Sequence, residues 1–175
     1  GKTNTALLVA RIWMHAHPDG EIVTNARRLE IADHYVTGTE DLLRHLVRAD
    51  VVDRPTLLLV DEGSTHFDAR RHRREVNAQW SPLAKRFAKL SVDSCVIGHT
   101  LTDLHPEVLR LGTLFMFKGR KERAELYATL DPENREFADP VAAIDPVEKF
   151  PENWYDPDDW SPWNWDLDAD VLALD

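Results

Sequence analysis

The stretch that most constrains this chain is Thr56-Leu57-Leu58-Leu59-Val60-Asp61-Glu62. An unbroken apolar run after a Pro55 turn reads as a strand covered on both faces, because a half-exposed strand would alternate apolar and polar residues. Such strands belong to parallel sheets with helices packed on each side. Two carboxylates directly at the strand's end are costly to bury unless they face a ligand or a metal. In open α/β sheets the ligand crevice lies outside the carboxyl ends of the strands. The segment therefore predicts an α/β fold with Asp61 and Glu62 at its functional rim.

The chain opens with Gly1-Lys2-Thr3, the last three positions of the phosphate-cradling pattern G-x-x-x-x-G-K-[ST]. A helix-compatible run from Ala6 to Met14 follows it. A glycine lets the backbone approach phosphate, and the helix beginning there aims amide N–H groups and a positive dipole end at the anion. Lys2 is expected to reach the β- and γ-phosphates and the Thr3 hydroxyl to coordinate Mg²⁺, with Asn4 beside them in the nucleotide site. The tripeptide alone is a common sequence. Its weight comes from the acid-ended strand further along the chain.

Together these residues resemble a P-loop NTPase of the additional-strand class, in which the catalytic glutamate follows the Walker B aspartate. The resemblance covers residues 1 to about 118, and the strand before the loop is expected to be missing from this chain. It implies that Asp61 holds Mg²⁺ through water and that Glu62 polarises the attacking water. A carboxylate suits that general-base role. Positioning and charge stabilisation, which Lys2 and Mg²⁺ would supply, do the rest of phosphoryl transfer.

The bulk properties are permissive. The chain has 175 residues, enough for a domain with a real core. A single cysteine, Cys95, excludes a disulfide framework and a cysteine-rich zinc site, and a reducing, cytoplasmic setting is expected. No apolar run approaches the length of a membrane span. The net charge of −10 belongs to the tail: residues 131–175 carry 14 acids and 2 bases, whereas residues 1–130 carry 17 acids and 19 bases. Acidity of the whole chain thus does not argue against nucleic-acid binding by the core.

In order, residues 3–15 read as a helix ended by Pro18-Asp19-Gly20, and Glu21 to Asn25 as a strand. Asn25 and Arg27 fall near the ligand side, with a loop role expected. Residues 28–37 are ambiguous between helix and loop. Thr39 to Val47 predict a helix with Thr39 as N-cap. A long helix is expected from about Ala69 to Leu90, broken or kinked at Ser81-Pro82, with Trp80 and Phe87 sharing its core side. Arg70, Arg71, Arg73 and Arg74 at its start are candidate DNA-phosphate contacts or a solvated face. Ser94 to Gly98 predict a buried strand ending in His99-Thr100, and Thr113 to Phe117 the last core strand. The intervening helix, Leu104 to Leu111, has Asp103 as expected N-cap. Lys118-Gly119-Arg120-Lys121 is a second basic cluster, and Ala124 to Thr129 an edge strand or hairpin partner. His15-x-His17 is too sparse for a metal site and reads as a helix cap.

By the same resemblance, His99 or Thr100 takes the polar position that touches the γ-phosphate or attacking water, and Arg110 the position that reaches a neighbouring subunit's phosphate. From Asp131 onward, six of ten prolines and four of six tryptophans sit in an acidic, weakly periodic segment. Rings such as Trp154, Tyr155, Trp160, Trp163 and Trp165 predict either docking on a partner or packing back on the chain's own domain.

The expected architecture is therefore a parallel, RecA-like sheet with helices on both faces over residues 1–130. An acidic, Pro- and Trp-rich extension would occupy 131–175. The Leu-Leu-Leu-Val-Asp-Glu strand and the Val-Ile-Gly-His-Thr…Asp-Leu-His-Pro-Glu-Val-Leu-Arg segment look like FtsK/HerA and zonular-occludens-toxin-like ATPases. That likeness implies an ATP- and Mg²⁺-dependent motor moving or packaging double-stranded DNA as a homo-oligomeric ring. The rival is a regulatory or assembly NTPase that switches protein partners without touching DNA.

Overall fold

The computed structural model of the chain describes residues 2–48, 54–68, 70–112, 114–118, 123–128, 130–131, 136–137, 139–144 and 161–165. At its centre lie Glu21–Thr24 (β1), His34–Tyr35 (β2), Thr56–Val60 (β3) and Val92–Val96 (β4). They form a parallel sheet in the order β2-β1-β3-β4. Ile22 stands opposite Leu57, Val23 opposite Leu58 and Leu58 opposite Ser94.

Strand alternation sends neighbouring residues to opposite faces, and here both faces are covered. Ile22, Leu57 and Leu59 pack against Leu7 and Ala10 of the first helix, Lys2–Ala16 (α1). Val23, Leu58 and Val60 pack against Leu42 and Leu46 of Thr39–Leu46 (α2) and against the later helices. Every residue of β3 is buried. That two-sided cover explains its unbroken apolar sequence, at about 1.5–3 kcal/mol for each large side chain withdrawn from water.

Two contacts fix the direction of α1. Ala6 and Leu7 line the same cleft as Asp61, Ile97 and Thr24, at the carboxyl ends of the strands. Near the other end, the Trp13 indole N–H donates to Asp93 Oδ2 at 2.7 Å, beside the start of β4. The helix thus runs against the strands, with its first turns at the Asp61 rim. It closes where the His17 amide donates to the Trp13 carbonyl, the two rings stacked at 4.5 Å. A Cβ on Gly20 would lie 2.6 Å from the Trp13 ring, so the expected turn needs its glycine.

On the other face, Gly63–His66 (α3), Arg73–Glu75 (α4) and Ser81–Ala84 (α5) lead toward β4. The expected long helix is not uniform. A π-helical turn, Val76–Trp80, joins α4 to α5, and a 3₁₀ turn, Phe87–Leu90, follows. Pro82 has no N–H for the Ala78 carbonyl, and the helix loosens just before it. Trp80 and Phe87 still share the core, edge to face at 5.6 Å.

Four further expectations need correction. β4 covers Val92–Val96, not 94–98, and Asp93 and Ser94 are exposed because β4 forms the edge of the sheet. The residue capping α2 is Gly38, not Thr39, whose hydroxyl is buried without a partner among the described residues. Asp41 instead reaches back to accept the Thr37 amide at 2.9 Å. The helix Pro106–Leu111 (α6) is capped by His105 rather than Asp103, the imidazole Nδ1 accepting the Glu107 amide at 3.1 Å. Finally, Phe115–Lys118 (β5) does not extend the parallel sheet. It pairs antiparallel with Ala124–Tyr127 (β6), which pairs with Ala142–Ile144 (β9). A close antiparallel partner in sequence avoids the long crossover a parallel neighbour requires. The hairpin reading of 124–129 is therefore the one observed. A two-residue pairing of Leu130–Asp131 (β7) with Glu136–Phe137 (β8) completes the strands. Residues 28–33, read as ambiguous, carry no helix.

Segment 161–165 returns to the main core. Asn164 bridges the Gly38 region, its amide donating to the Thr37 carbonyl at 2.8 Å and its carbonyl accepting the Thr39 amide at 3.1 Å. Trp163 is buried against Trp80 and Phe67, and Trp165 meets Phe67 edge-on. Trp163 and Trp165 thus pack back on the chain's own domain; Trp154, Tyr155 and Trp160 lie outside the described residues. No helix among the described residues is long and apolar enough to cross a membrane.

Candidate functional site

The carboxyl rim of the sheet gathers Asn25 after β1, Asp61 and Glu62 after β3, and His99 after β4. Strand β3 delivers the two acids, and the turn following it sets their geometry. The Glu62 amide donates to Asp61 Oδ1 at 2.9 Å. Glu62 itself adopts a left-handed conformation, φ 55° and ψ 33°. A non-glycine residue there costs of order 1–3 kcal/mol and is held only by its surroundings. The hold is visible next door: the Gly63 amide donates to the Ile97 carbonyl at 2.7 Å. A Cβ on Gly63 would lie 2.5 Å from Val96 and 2.9 Å from the Ile97 oxygen. Strained glutamate and close-packed glycine together turn the Glu62 side chain toward the rim.

Across the rim, His99 Nε2 lies 3.6 Å from Glu62 Oε2. Its backbone amide donates to Ser64 Oγ at 2.5 Å, which ties the loop after β4 to α3. Thr100 points elsewhere; its hydroxyl pairs with that of Thr102 at 2.8 Å. Of the two strand-end candidates, His99 is the one brought to Glu62.

Asn25 contributes more than the loop role expected of it. It is fully buried, accepts the Asp61 amide at 2.7 Å and donates to the Asp61 carbonyl at 3.2 Å. The same amide group faces the Ser161 and Pro162 carbonyls at 3.5 and 3.3 Å. His66, one turn beyond Glu62, donates through Nε2 to the Ser161 carbonyl at 2.5 Å. Burial holds the His66 imidazole below its ordinary pKa, outweighing that hydrogen bond and the Glu62 charge. The 161–165 segment is thus latched to both β1 and α3 directly behind the acids. No spacing rule links Asn25 or His66 to Ser161, more than ninety residues away, so this latch leaves no signal in the sequence.

The remaining candidates separate. Lys2 and Thr3 belong to the first turn of α1, their side chains outside the described residues, as is Gly1. Asn4 is buried in that turn, and its Oδ1 has no hydrogen-bond partner among the described residues. Arg110 is exposed and engages Glu107 of its own helix at 2.5 Å. Arg70, Arg71, Arg73 and Arg74 are all exposed. Asp68 Oδ1 accepts the Arg70 and Arg71 amides at 2.7 and 3.0 Å, which holds the Asp68 carboxyl below its usual pKa and shapes the turn that presents them. Gly119, Arg120 and Lys121, and the Lys118 side chain, lie outside the described residues.

Oxygen donors from one carboxylate and one hydroxyl, Asp61 and Thr3, are the hard ligands Mg²⁺ takes. The unpartnered Asn4 Oδ1 is a polar atom of the kind a ligand at that helix turn would satisfy. This donor chemistry fits the Mg²⁺ that the resemblance implies. No family model, no curated protein and no solved structure matches this chain.

Proposed function

We propose that the chain is the core of an ATP-hydrolysing P-loop motor, with DNA as its cargo. The supporting observation is convergence: the helix that begins Lys2-Thr3 places its early turns in the cleft with Asp61, on the rim that also presents Glu62 and His99. The parallel order β1-β3-β4 agrees with a RecA-like arrangement, with β4 at the edge where a strand leading into the phosphate loop belongs.

In this reading Lys2, Thr3 and the first amides of α1 bind the phosphates. Thr3, and Asp61 through water, would hold Mg²⁺, whose charge would offset that of the phosphates. The Glu62 carboxylate accepts the proton of the attacking water. His99, 3.6 Å away, flanks that carboxylate on the rim. The partial exposure of the Glu62 side chain suits this task, because a general base must be open to water.

The four exposed arginines beside α4 support DNA as cargo through phosphate contacts. One observation favours the partner-switching alternative: the 161–165 latch on Asn25 and His66 connects the acids to a segment whose displacement by a protein partner would break identifiable hydrogen bonds. Mg²⁺-dependent ATP turnover by the full-length protein, with and without double-stranded DNA, separates the two. Stimulation by DNA that weakens in Arg70→Glu/Arg74→Glu supports the motor. Turnover indifferent to DNA moves the cargo to a protein, and no turnover under any condition contradicts both.

A further inference from the structure

At the amino rim of the same sheet, Glu21 opens β1 with a side chain sealed from solvent. Its Oε1 accepts a hydrogen bond from His45 Nε2 at 2.8 Å and another from the Thr56 hydroxyl at 3.2 Å. Its Oε2 lies 3.5 Å from His34 Nε2 and 3.4 Å from Arg54 Nη1. The imidazoles arrive from different elements, His34 from β2 and His45 from α2, with ring centroids 4.3 Å apart. One donor atom from each of Glu21, His34 and His45 falls within 4.8 Å of the others.

We propose that Glu21, His34 and His45 form a binding site for a divalent transition metal of the zinc type. Two imidazoles and one carboxylate are borderline ligands that suit zinc and its neighbours, whereas Mg²⁺ takes oxygen alone. Metal–ligand bonds of about 2.0–2.2 Å place tetrahedral donor atoms roughly 3.3–3.5 Å apart. The two imidazoles approach different oxygens of Glu21, His34 Nε2 at 3.5 Å from Oε2 and His45 Nε2 at 2.8 Å from Oε1, so a shared ligand oxygen needs a small turn of the carboxylate as the metal replaces the proton between Glu21 and His45. His34 is partly exposed, which leaves an entry path and a side for a water ligand.

Arg54 is the group that opposes this. Its guanidinium also binds the Asp19 carbonyl at 3.0 Å and the Gly20 carbonyl at 3.4 Å, and its contact with Glu21 is long. In the metal-free chain it supplies the positive charge that a buried carboxylate needs. A bound dication takes over that duty, so Arg54 tunes affinity downward. This site is independent of the chemistry at the opposite rim.

The test is equilibrium binding of Zn²⁺ to the metal-stripped full chain, in competition with a chromogenic chelator. Co²⁺ substitution reports the geometry. One equivalent with a tetrahedral Co²⁺ spectrum is expected, weakened more than about tenfold by His34→Gln. Arg54→Met tightens binding, and His15→Gln/His17→Gln leaves it unchanged. In the unmodified chain, Zn²⁺ protects His34 from diethyl pyrocarbonate, a readout that needs no variant to fold. Absence of stoichiometric uptake, uptake that survives His34→Gln, weaker binding in Arg54→Met, or no protection of His34 overturns the assignment.

Discussion

Two carboxylates, Glu21 and Glu62, lie at opposite rims of one parallel sheet, in contrasting settings. Glu21 is sealed from solvent, and every one of its contacts comes from a neighbouring element: His34, His45, Arg54 and Thr56. Glu62 is about two-fifths exposed, sits in a left-handed backbone, and meets His99 at a distance too long for a good hydrogen bond. A protein built only for stability would have no reason to keep a strained glutamate where glycine fits. The amino rim binds its acid into the fold, whereas the carboxyl rim leaves its acid partly open to solvent. In the proposed function, saturated and strained sites divide structural from chemical duty along the same strands.

The largest expected effect sharpens this contrast at Glu62. Replacing Glu62 by Gln removes the base but keeps the shape, and lowers ATP turnover by about 10²–10⁴-fold. Next comes the amino rim. Glu21→Ala leaves His45, Thr56 and Arg54 facing a buried gap and costs about 3–5 kcal/mol in denaturant unfolding. A cost below roughly 1 kcal/mol would break the distinction between the rims. Gly63→Ala, with its Cβ driven into Val96 and the Ile97 carbonyl, is expected to destabilise by about 1–3 kcal/mol. Glu62→Gly has the opposite sign: relief of the left-handed backbone offsets the greater unfolded-state freedom, and stability rises by up to about 1 kcal/mol while turnover is lost.

Acid provides the smallest test. Burial lowers the folded-state pKa of His66 and of the capping His105, so the unfolded chain binds protons more readily than the folded one. The stability they contribute is complete above the ordinary histidine pKa and falls as pH drops through that value toward the lower folded ones. His66→Asn flattens this dependence in thermal unfolding followed across the acid range. Cys95 belongs to the comparison as well. Burial, with a smaller push from the Asp61 charge, raises its thiol to about 11, which predicts slow alkylation at neutral pH.

What could be read from the residues follows physical locality. β3 and its acids were legible because two-sided burial demands an unbroken apolar run that nothing else explains. α1 was legible from its composition and its stop at Gly20. The sheet edge was less so: the apolar run from Cys95 suggested a buried strand, yet the ladder begins at Val92 and is half exposed. The sequence of β5 does not say which sheet it joins, because strand sequence encodes burial and not the identity of the partner. His105 displaced Asp103 as a cap since an imidazole acceptor is rarely considered for that role. The Glu21 cluster left no trace, its ligands spaced thirteen and eleven residues apart on three elements. Only folding brings them together.

The central claim is that the carboxyl rim performs hydrolysis through Glu62. The most direct measurement is Mg²⁺-dependent ATP turnover of the full-length protein beside Glu62→Gln, with denaturant unfolding of both. The account predicts turnover that collapses in the variant while the unfolding midpoint stays put. Equal turnover in the two proteins would contradict it.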